Sequence, residues 1–177
     1  MLLLSVAYLP PIEWFACLAA GNAMIEVRDS YIKQTYRNRC HIATPQGVQA
    51  LTIPVTHDGC VAIREQASWR HTHWQALVSA YRMSPFFEYY ADDLLPFYDT
   101  PRTESLYEYN IALVRTLCSL MHINPPIRTT CRYRTADECL AEGITDLRDT
   151  IHPKRENIFR PIPSYYQVFR DKTGFIP

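Results

Sequence analysis

The sequence has no excess of charge of either sign, and it has little lysine. Its 18 Lys and Arg residues balance 18 Asp and Glu residues, and the pI is about 7.0. Nucleic acids and anionic membranes attract basic surfaces, so this balance argues against a nucleic-acid partner. Only Lys33, Lys154 and Lys172 are lysines, and the other fifteen basic residues are arginines. Arginine favours forked, bidentate recognition of carboxylate or phosphate groups.

Long hydrophobic runs and paired cysteine motifs are also missing. A membrane-spanning helix needs about 20 apolar residues, and no segment has such a run, so membrane insertion is not expected. The opening MLLLSVAYLPP lacks the basic residues and the cleavage site of a secretion signal, and we predict a buried strand there. The six cysteines include no C-x-x-C pair, so we expect reduced structural thiols in a cytoplasmic protein.

Glycine is scarce, with five residues in a chain of 177. The sequence contains no glycine-rich nucleotide fingerprint and no P-loop. Zinc-ligand spacing and a nucleophile elbow are absent as well. The sequence therefore names no cofactor and predicts no metal site.

The opening of the chain predicts the fold class. LLLSVAYL reads as a strand closed by Pro10 and Pro11, IEWFACLAAG as a short helix ending at Gly21, and AMIEVRD as a second strand. A strand, a helix and a strand in this order favour a βαβ unit and a parallel sheet. With 47% apolar residues, the chain predicts one α/β domain over residues 1–177, with a mostly parallel or mixed sheet and flanking helices.

Later segments predict the remaining elements. VQALTIPV is typical of a strand, and helical spacing begins after Ser68, a predicted N-cap. SPFFEYYADDLLPFY predicts a short helix and an irregular aromatic stretch. The longest helix is predicted to open at Thr100–Pro101. IRTTCRYR predicts a strand, TADECLAEG a capped helical turn, and the tail from about Asp146 an irregular segment that is tied down.

The segment SYIKQTYRNRCHI, residues 30–42, concentrates hydrogen-bond donors. Side chains alternate along a strand, so an extended segment has two faces: Lys33, Thr35, Arg37, Arg39 and His41 on one, and Ile32, Gln34, Tyr36, Asn38, Cys40 and Ile42 on the other. Residues two apart lie about 7 Å apart, so Arg37 and Arg39 could grip a diphosphate, or a phosphate and a carboxylate. The alternative is a solvated face with arginines in salt bridges. Cys40 and His41 would point apart, so His41 is not expected to activate the thiol.

A second polar cluster lies in DLRDTIHPK, which joins Asp146, Arg148, Asp149, His152 and Lys154. A loop that uses one of three lysines beside a histidine is a reasonable ligand-binding loop, and a histidine near a carboxylate can act as a general base. The alternative is a capped turn with a local ion pair. If both clusters bind one ligand, Arg37, Arg39 and Lys154 should converge.

Four other side chains have a structural and a functional interpretation. Trp69 and His73 share a helix face, where they could contact a ring of the ligand, but a half-buried aromatic and a satisfied core histidine are favoured. Asn110 lies on the apolar face of the longest helix, and a structural tie is favoured over a ligand contact. Tyr8 follows the first strand, where α/β sheets present ligand-binding loops.

Several segments together resemble the WbqC-like family: AYLPPIEWFACLA, YIKQTYRNRCHI, ALTIPV, SWRHTHWQALVSAYRMSPFFEYY, DLRDTIHPK and YYQVF…GF. They run in order from about Ala7 to Phe175. The resemblance implies a role in the biosynthesis of surface polysaccharides such as O-antigen, or of related precursors, in bacteria. Many relatives have His-Gln-Pro after the first strand, where this chain has Ala7-Tyr8-Leu9-Pro10. No residue of this chain can therefore take the role of that histidine.

The leading hypothesis is therefore a cytoplasmic group-transfer enzyme, a transferase for nucleotide-sugar or glycan precursors, whose small-molecule substrate carries phosphate or carboxylate. The candidate acid–base residues are His152, Asp146 and Lys154. The candidate ligand-binding residues are Tyr8, Lys33, Gln34, Tyr36, Arg37, Asn38, Arg39, Trp69, His73, Asn110 and Arg148. The alternative is a non-catalytic component that binds a ligand or a partner in a biosynthetic complex.

Overall fold

The computed structural model describes residues 1–56, 61–64, 68–100 and 105–176. They form an α/β structure with a four-stranded parallel sheet, a separate two-stranded antiparallel sheet and flanking helices. In chain order the elements are β1 Leu2–Ser5, α1 Ile12–Ala19, β2 Ala23–Glu26, β3 Arg39–Thr44, β4 Gly47–Thr52, α2 Trp69–Tyr81, α3 Phe87–Leu94, α4 Pro96–Asp99, α5 Leu106–Leu120, β5 Arg128–Thr129, α6 Ala136–Ala141, β6 Thr145–Asp146 and α7 Arg170–Thr173. The predicted fold class is confirmed.

The parallel sheet has the strand order β5-β2-β1-β6. β1 and β2 pair in parallel, with Leu3 opposite Met24, and α1 connects them, as the predicted βαβ unit requires. β6 pairs with the other edge of β1, where Leu3 is opposite Asp146. The strand order therefore reverses between β1 and β6. In α/β sheets the carboxyl ends of the strands at such a reversal form a crevice that commonly binds ligands.

The apolar opening of the chain is a strand because it is covered on both sides. Leu3, Leu4 and Val6 are buried, as expected for the interior strand of a parallel sheet. On one side α1 packs Trp14 against β1, and the indole Nε1 donates to the Ser5 carbonyl at 2.8 Å. The hydrogen bond satisfies the only polar atom of a large apolar side chain, which fixes α1 on the sheet.

The longest helix begins later than predicted. The predicted opening residue Pro101 lies outside the described residues, and α5 begins at Leu106. Ser105 caps it: its side chain accepts from the Glu108 N–H, and the Glu108 carboxylate accepts from the Ser105 N–H. This reciprocal capping box satisfies two groups at the start of the helix, so it defines the helix terminus better than the proline does.

The extended conformation that would place the cations of residues 30–42 on one face is absent over most of the segment. Residues 33–38 form turns and a bend, and β3 begins only at Arg39. Gln34 has φ +62°, a left-handed conformation that no strand contains. Lys33 and Arg37 therefore do not share a strand face with Arg39. Within β3 the alternation holds, since Cys40 is buried and His41 is exposed.

Other predicted elements exist but are shorter. VQALTIPV contains β4, SPFFEYYADDLLPFY contains α3 and α4, IRTTCRYR contains β5, and TADECLAEG contains α6, which Thr135 caps as predicted. Ser68 precedes α2 as predicted, but its side chain makes no capping bond. Within the described ranges, no helix has the length and apolar content to span a bilayer. The five cysteines described there are free thiols, and Cys60 lies outside those ranges.

Candidate functional site

Charged side chains gather at the carboxyl edge of the parallel sheet. Glu26 is the last residue of β2 and is fully buried, and its Oε1 accepts from Thr130 Oγ1 at 2.5 Å and from the Arg28 N–H at 2.7 Å. Asp146 ends β6, and Arg148 follows it into the loop. Arg148 donates to Asp146 through Nε at 2.9 Å and Nη2 at 2.6 Å. Its Nη1 faces Glu26 Oε2 at 3.6 Å.

The bidentate pair keeps Asp146 ionised. Burial opposes ionisation of this carboxyl, but the hydrogen bonds from Arg148 outweigh burial and hold the pKa of Asp146 below its ordinary value. The same hydrogen bonds raise the pKa of Arg148 against the effect of burial. A carboxylate held in this way has both oxygens occupied by a guanidinium. The geometry shows Asp146 holding Arg148 in place, and proton transfer by Asp146 stays a prediction.

Arg37 lies beside this cluster as a buried cation. Its side chain is 1% exposed, its Nη2 donates to Asp29 Oδ2, and Asp149 Oδ1 lies 4.0 Å away. Its carbonyl oxygen accepts from Asn110 Nδ2 of α5 at 2.7 Å, so the structural tie favoured for Asn110 is present. Arg37 is enclosed by protein groups, which leaves it little surface with which to contact a ligand.

Arg39 is separated from Arg37 by the turn before β3. It lies on the face of β3 that also carries His41, and its Nε donates to Thr52 Oγ1 at 3.0 Å. Between the two arginines, Asn38 is buried and its Nδ2 donates to the Ile53 carbonyl at 2.7 Å. The two arginines therefore have different surroundings and do not form the predicted pair.

The two predicted clusters nevertheless meet. Lys154 Nζ donates to Gln34 Oε1 at 2.5 Å, although 120 positions separate them in the sequence. His152 Nδ1 accepts from the Lys154 N–H at 3.1 Å, so the neutral imidazole carries its proton on Nε2. Burial lowers the pKa of His152, and the nearby Arg155 and Lys154 lower it further, against Asp149. At neutral pH the ring is therefore a neutral hydrogen-bond donor through Nε2. We call Gln34, His152 and Lys154 the junction cluster.

Some buried polar atoms lack a hydrogen-bond partner. Within the described part of the chain, five such side-chain atoms occur: Glu26 Oε2, Arg37 Nη1, Trp69 Nε1, Asn110 Oδ1 and Arg148 Nη1. Glu26 Oε2 and Arg148 Nη1 face each other at 3.6 Å as an ion pair. Arg37 and Asn110 are neighbours, since the Arg37 carbonyl accepts from Asn110 Nδ2. Native proteins satisfy nearly all buried polar groups, so Arg37 and Asn110 together keep unused hydrogen-bonding capacity.

A cleft of about 1170 Å³ is lined by Pro153 and Arg155, the residues on either side of Lys154, although Gln34, His152 and Lys154 are not among its lining residues. Its walls are the loop into α1, Tyr36, the β3–β4 hairpin, Tyr81 and the irregular tail over residues 153–176. The tail is held by its own contacts, with Gln167 and Ile176 exchanging two hydrogen bonds and Phe169 packing near the Tyr81 ring. The volume lies somewhat above the range of about 300–1,000 Å³ that is usual for ligand pockets.

Another cavity, of about 660 Å³, lies at the end of α5 and is lined by residues between Arg115 and Ile127. It contains none of the side chains that the sequence singles out for recognition. The larger cleft is lined by Tyr36 and by Pro153 and Arg155, the neighbours of Lys154 in the sequence. The candidate ligand site is therefore assigned to the larger cleft.

Tyr8, Trp69 and His73 lie in an apolar core instead of the cleft. Tyr8 is fully buried, and its hydroxyl is hydrogen-bonded to His73 Nδ1 and to Tyr98 Oη, each at 2.9 Å. The Trp69 ring packs edge-on against His73 at 5.2 Å. Burial lowers the pKa of His73 to about 4. The favoured interpretation of a satisfied core histidine fits this geometry. Lys33 is exposed in the turn before Gln34.

Sequence reasoning missed most of the polar side chains that line the cleft, and Glu13 and Arg155 are among them. Glu13 carried a signal, because it lies four positions before Cys17 on the face of α1 that also buries Trp14 and Leu18. An acid on the apolar face of a helix needs a partner or a function. Nothing in the sequence indicated a role for Arg155, because a single arginine in an irregular tail belongs to no helical or strand periodicity and to no motif.

Comparison with known proteins finds one matching family and one distant relative. The model of the WbqC-like protein family matches residues 6–155. The uncharacterized protein Rv1507c of Mycobacterium tuberculosis (strain ATCC 25618 / H37Rv) is 32% identical over 137 residues, which cover 73% of this chain and 59% of that protein. The chain thus spans less than two thirds of that relative's length. No solved structure matches the chain. The family match contains the whole junction cluster and ends at Arg155, before most of the tail that lines the cleft.

Proposed function

The chain belongs to the WbqC-like protein family, and we propose that it binds a phosphate- or carboxylate-bearing small molecule in the cleft beside the carboxyl ends of β1 and β6. In this proposal the protein is a group-transfer enzyme in the biosynthesis of surface polysaccharides or related precursors. The single observation that carries the proposal is the junction cluster, where Lys154 and His152, in the segment that follows β6, meet Gln34.

The cations at this place are available to an anion. Over the described ranges, neither Lys154 nor Arg155 forms an ion pair with a carboxylate, whereas Arg37 and Arg148 do. The neutral His152 adds an Nε2–H donor beside Lys154. Hydrogen bonds from charged donors to an anionic oxygen are about twice as strong as neutral ones. An anionic group at the mouth of the cleft therefore gains an ammonium and an imidazole donor.

The cleft accommodates the remainder of a sugar-sized or nucleotide-sized ligand. Tyr36, Tyr165 and Tyr166 line it together with Phe175. Aromatic walls with a few polar groups are typical of small-molecule sites, and tyrosine offers an apolar face and a hydroxyl on one side chain. During group transfer, Lys154 and His152 stabilise negative charge on the leaving oxygen, an effect that fixed donors provide without reorganisation.

We expect Lys154→Ala to weaken binding of uridine diphosphate glucose or glucose 1-phosphate at least tenfold, which corresponds to about 1.4 kcal/mol. The variant loses an ammonium that has no carboxylate partner in the described part of the chain, so folding should be unaffected. Isothermal titration calorimetry at low salt measures the change. Lys172→Ala is the matched control, because Lys172 is an exposed lysine of α7, outside the cleft lining. Equal affinities of the two variants would reject the junction cluster as the anion site.

A second candidate is a non-catalytic component that binds a partner. It is favoured by exposed apolar side chains before and within α3, where Met83, Phe86 and Tyr89 are 92%, 62% and 77% exposed. Exposed apolar patches of this kind often mark protein–protein contacts. Incubation with a ligand that binds, followed by mass spectrometry, separates the candidates. A new product supports the enzyme, and unchanged ligand at full occupancy supports the binding component.

A further inference from the structure

Glu13 is a buried carboxyl group on the wall of the cleft. It is 5% exposed and lies in the first turn of α1. Its Oε2 accepts a hydrogen bond from the Ile158 N–H of the tail at 2.9 Å, so it contacts two walls of the cleft at once. In the described part of the chain, Glu13 forms no ion pair with a lysine, arginine or histidine.

The surroundings of Glu13 do not compensate its charge. Burial raises its pKa, and the Ile158 N–H opposes the rise. Cys17 and Tyr36 are close enough for the Glu13 charge to raise the pKa of each, after the larger effect of burial. A buried carboxylate costs several kcal/mol unless a cation or several donors face it. The phenol of Tyr36, the thiol of Cys17 and the Ile158 N–H offset only part of this cost.

The lining of the cleft carries both signs of charge. Glu13 presents a carboxyl group from α1, and Arg155, the residue after Lys154, presents a positive charge from the tail. The ring of Tyr36 also lines the cleft and lies edge-on to His41, with ring centres 6.0 Å apart. A ligand with only an anionic group satisfies the cation and leaves Glu13 uncompensated. A ligand with an ammonium group as well satisfies both charges.

We propose that Glu13 binds a primary amine of the ligand, and that the ligand is an amino sugar phosphate or an ester of one. The anionic end of this assignment rests on the function proposed above, whereas the amine end rests on Glu13 alone. An ammonium is preferred to a hydroxyl because it supplies a full charge and up to three donors. Glu13 is thus a specificity residue that selects the amine over the hydroxyl at one position of the sugar ring.

The test compares four probes by calorimetry at neutral pH: glucosamine 1-phosphate, N-acetylglucosamine 1-phosphate, glucose 1-phosphate and glucosamine. The wild-type protein should bind glucosamine 1-phosphate at least tenfold more tightly than the acetylated and hydroxyl sugars. Glu13→Gln should abolish this preference, because the amide keeps an oxygen for the Ile158 N–H but carries no charge. Glu156→Gln is the control, since Glu156 also lines the cleft but is exposed and paired with Arg160 at 3.0 Å.

The outcomes separate the two proposals. Equal binding of the three phosphates rejects the amine site and leaves the anion site standing. If glucosamine binds to the wild type but not to Glu13→Gln, and none of the three sugar phosphates binds, the amine site is supported and the anion site is rejected. If no probe binds, both assignments fail for sugar ligands. A tenfold preference that survives Glu13→Gln assigns the amine to another residue and overturns the role of Glu13. The wild-type comparison needs no variant, so a folding defect in Glu13→Gln does not obscure it.

Discussion

Replacing Arg37 with alanine should lower the free energy of unfolding by about 3–5 kcal/mol, the usual effect of removing one partner from a buried ion pair. Arg37 is 1% exposed and paired with Asp29, whose side chain is 7% exposed. Without the guanidinium, Asp29 is a buried carboxylate that has lost its cation. Urea denaturation at neutral pH measures the change, and a loss of this size is a large part of the stability of a small domain.

Arg39→Ala is the matched control for this prediction. Arg39 is two positions away on the outer face of β3, and its recorded hydrogen bond is to Thr52 Oγ1. Its removal should cost less than about 1 kcal/mol. In a double-mutant cycle with Asp29→Ala, the double variant should lose less stability than the sum of the two single losses. If Arg37→Ala and Arg39→Ala are equally stable, the buried ion pair contributes nothing and Arg37 is free for other contacts.

The expected loss changes how binding data on Arg37 variants are interpreted. Arg37 contacts Asp29 and lies 4.0 Å from Asp149, and its carbonyl is held by Asn110. These groups support the loop that follows β6 and carries His152. An Arg37 variant that no longer binds a ligand would therefore report a displaced site, whereas Lys154→Ala removes an exposed side chain whose hydrogen bond to Gln34 lies at the surface.

The elements that can be predicted from the sequence are those determined by residues close together in the chain. β1, α1 and β2 follow from an apolar run, a short amphipathic segment and a second apolar run, with turn residues between them. Thr135 and the TADECLAEG segment form a capping box, which is also a local signal. Each of these elements is specified within about ten residues, so no distant partner has to be known.

The segment over residues 30–42 fails as a prediction because distant partners decide its shape. Asn38 is held by the Ile53 carbonyl beyond β4, and Arg37 by Asn110 of α5. The partners in these hydrogen bonds are 15 and 73 positions apart in the sequence. Both bonds form here with residues 33–38 in a turn that buries Arg37. Alternation of charged residues is a weak signal for a strand when no apolar face accompanies it.

The candidate site is predictable only in part for the same reason. Composition singled out residues 30–42 and 146–154, and Lys154 does reach Gln34. Nothing in either segment specifies that contact, since it depends on the strand order of the sheet. Tyr8 follows β1 as the fold predicts, yet it turns into the core because His73 and Tyr98 supply partners for its hydroxyl there.

Acid should destabilise the protein through His73, by about 3 kcal/mol between pH 7 and pH 4. Burial lowers the pKa of His73 in the folded protein from 6.5 to about 4, so the unfolded chain binds a proton in this window and the folded one does not. Stability is therefore complete above pH 6.5 and falls as the pH falls towards 4. Each pH unit costs about 1.4 kcal/mol. Urea denaturation at several pH values measures the slope.

A comparison of variants isolates His73 from other groups that titrate in this range. Glu13 acts in the opposite direction, because its raised pKa makes the folded state take up a proton earlier than the unfolded state as the pH falls. His73→Gln keeps a polar side chain beside Tyr8 but cannot titrate. Between pH 7 and pH 4, the free energy of unfolding of this variant should therefore fall by about 3 kcal/mol less than that of the wild type. His71→Gln is the control on the exposed side of α2 and should follow the wild type. A His73→Gln curve parallel to the wild type would mean that the buried imidazole takes up its proton without unfolding, which requires the hydrogen bond between Tyr8 and His73 to adapt within the core.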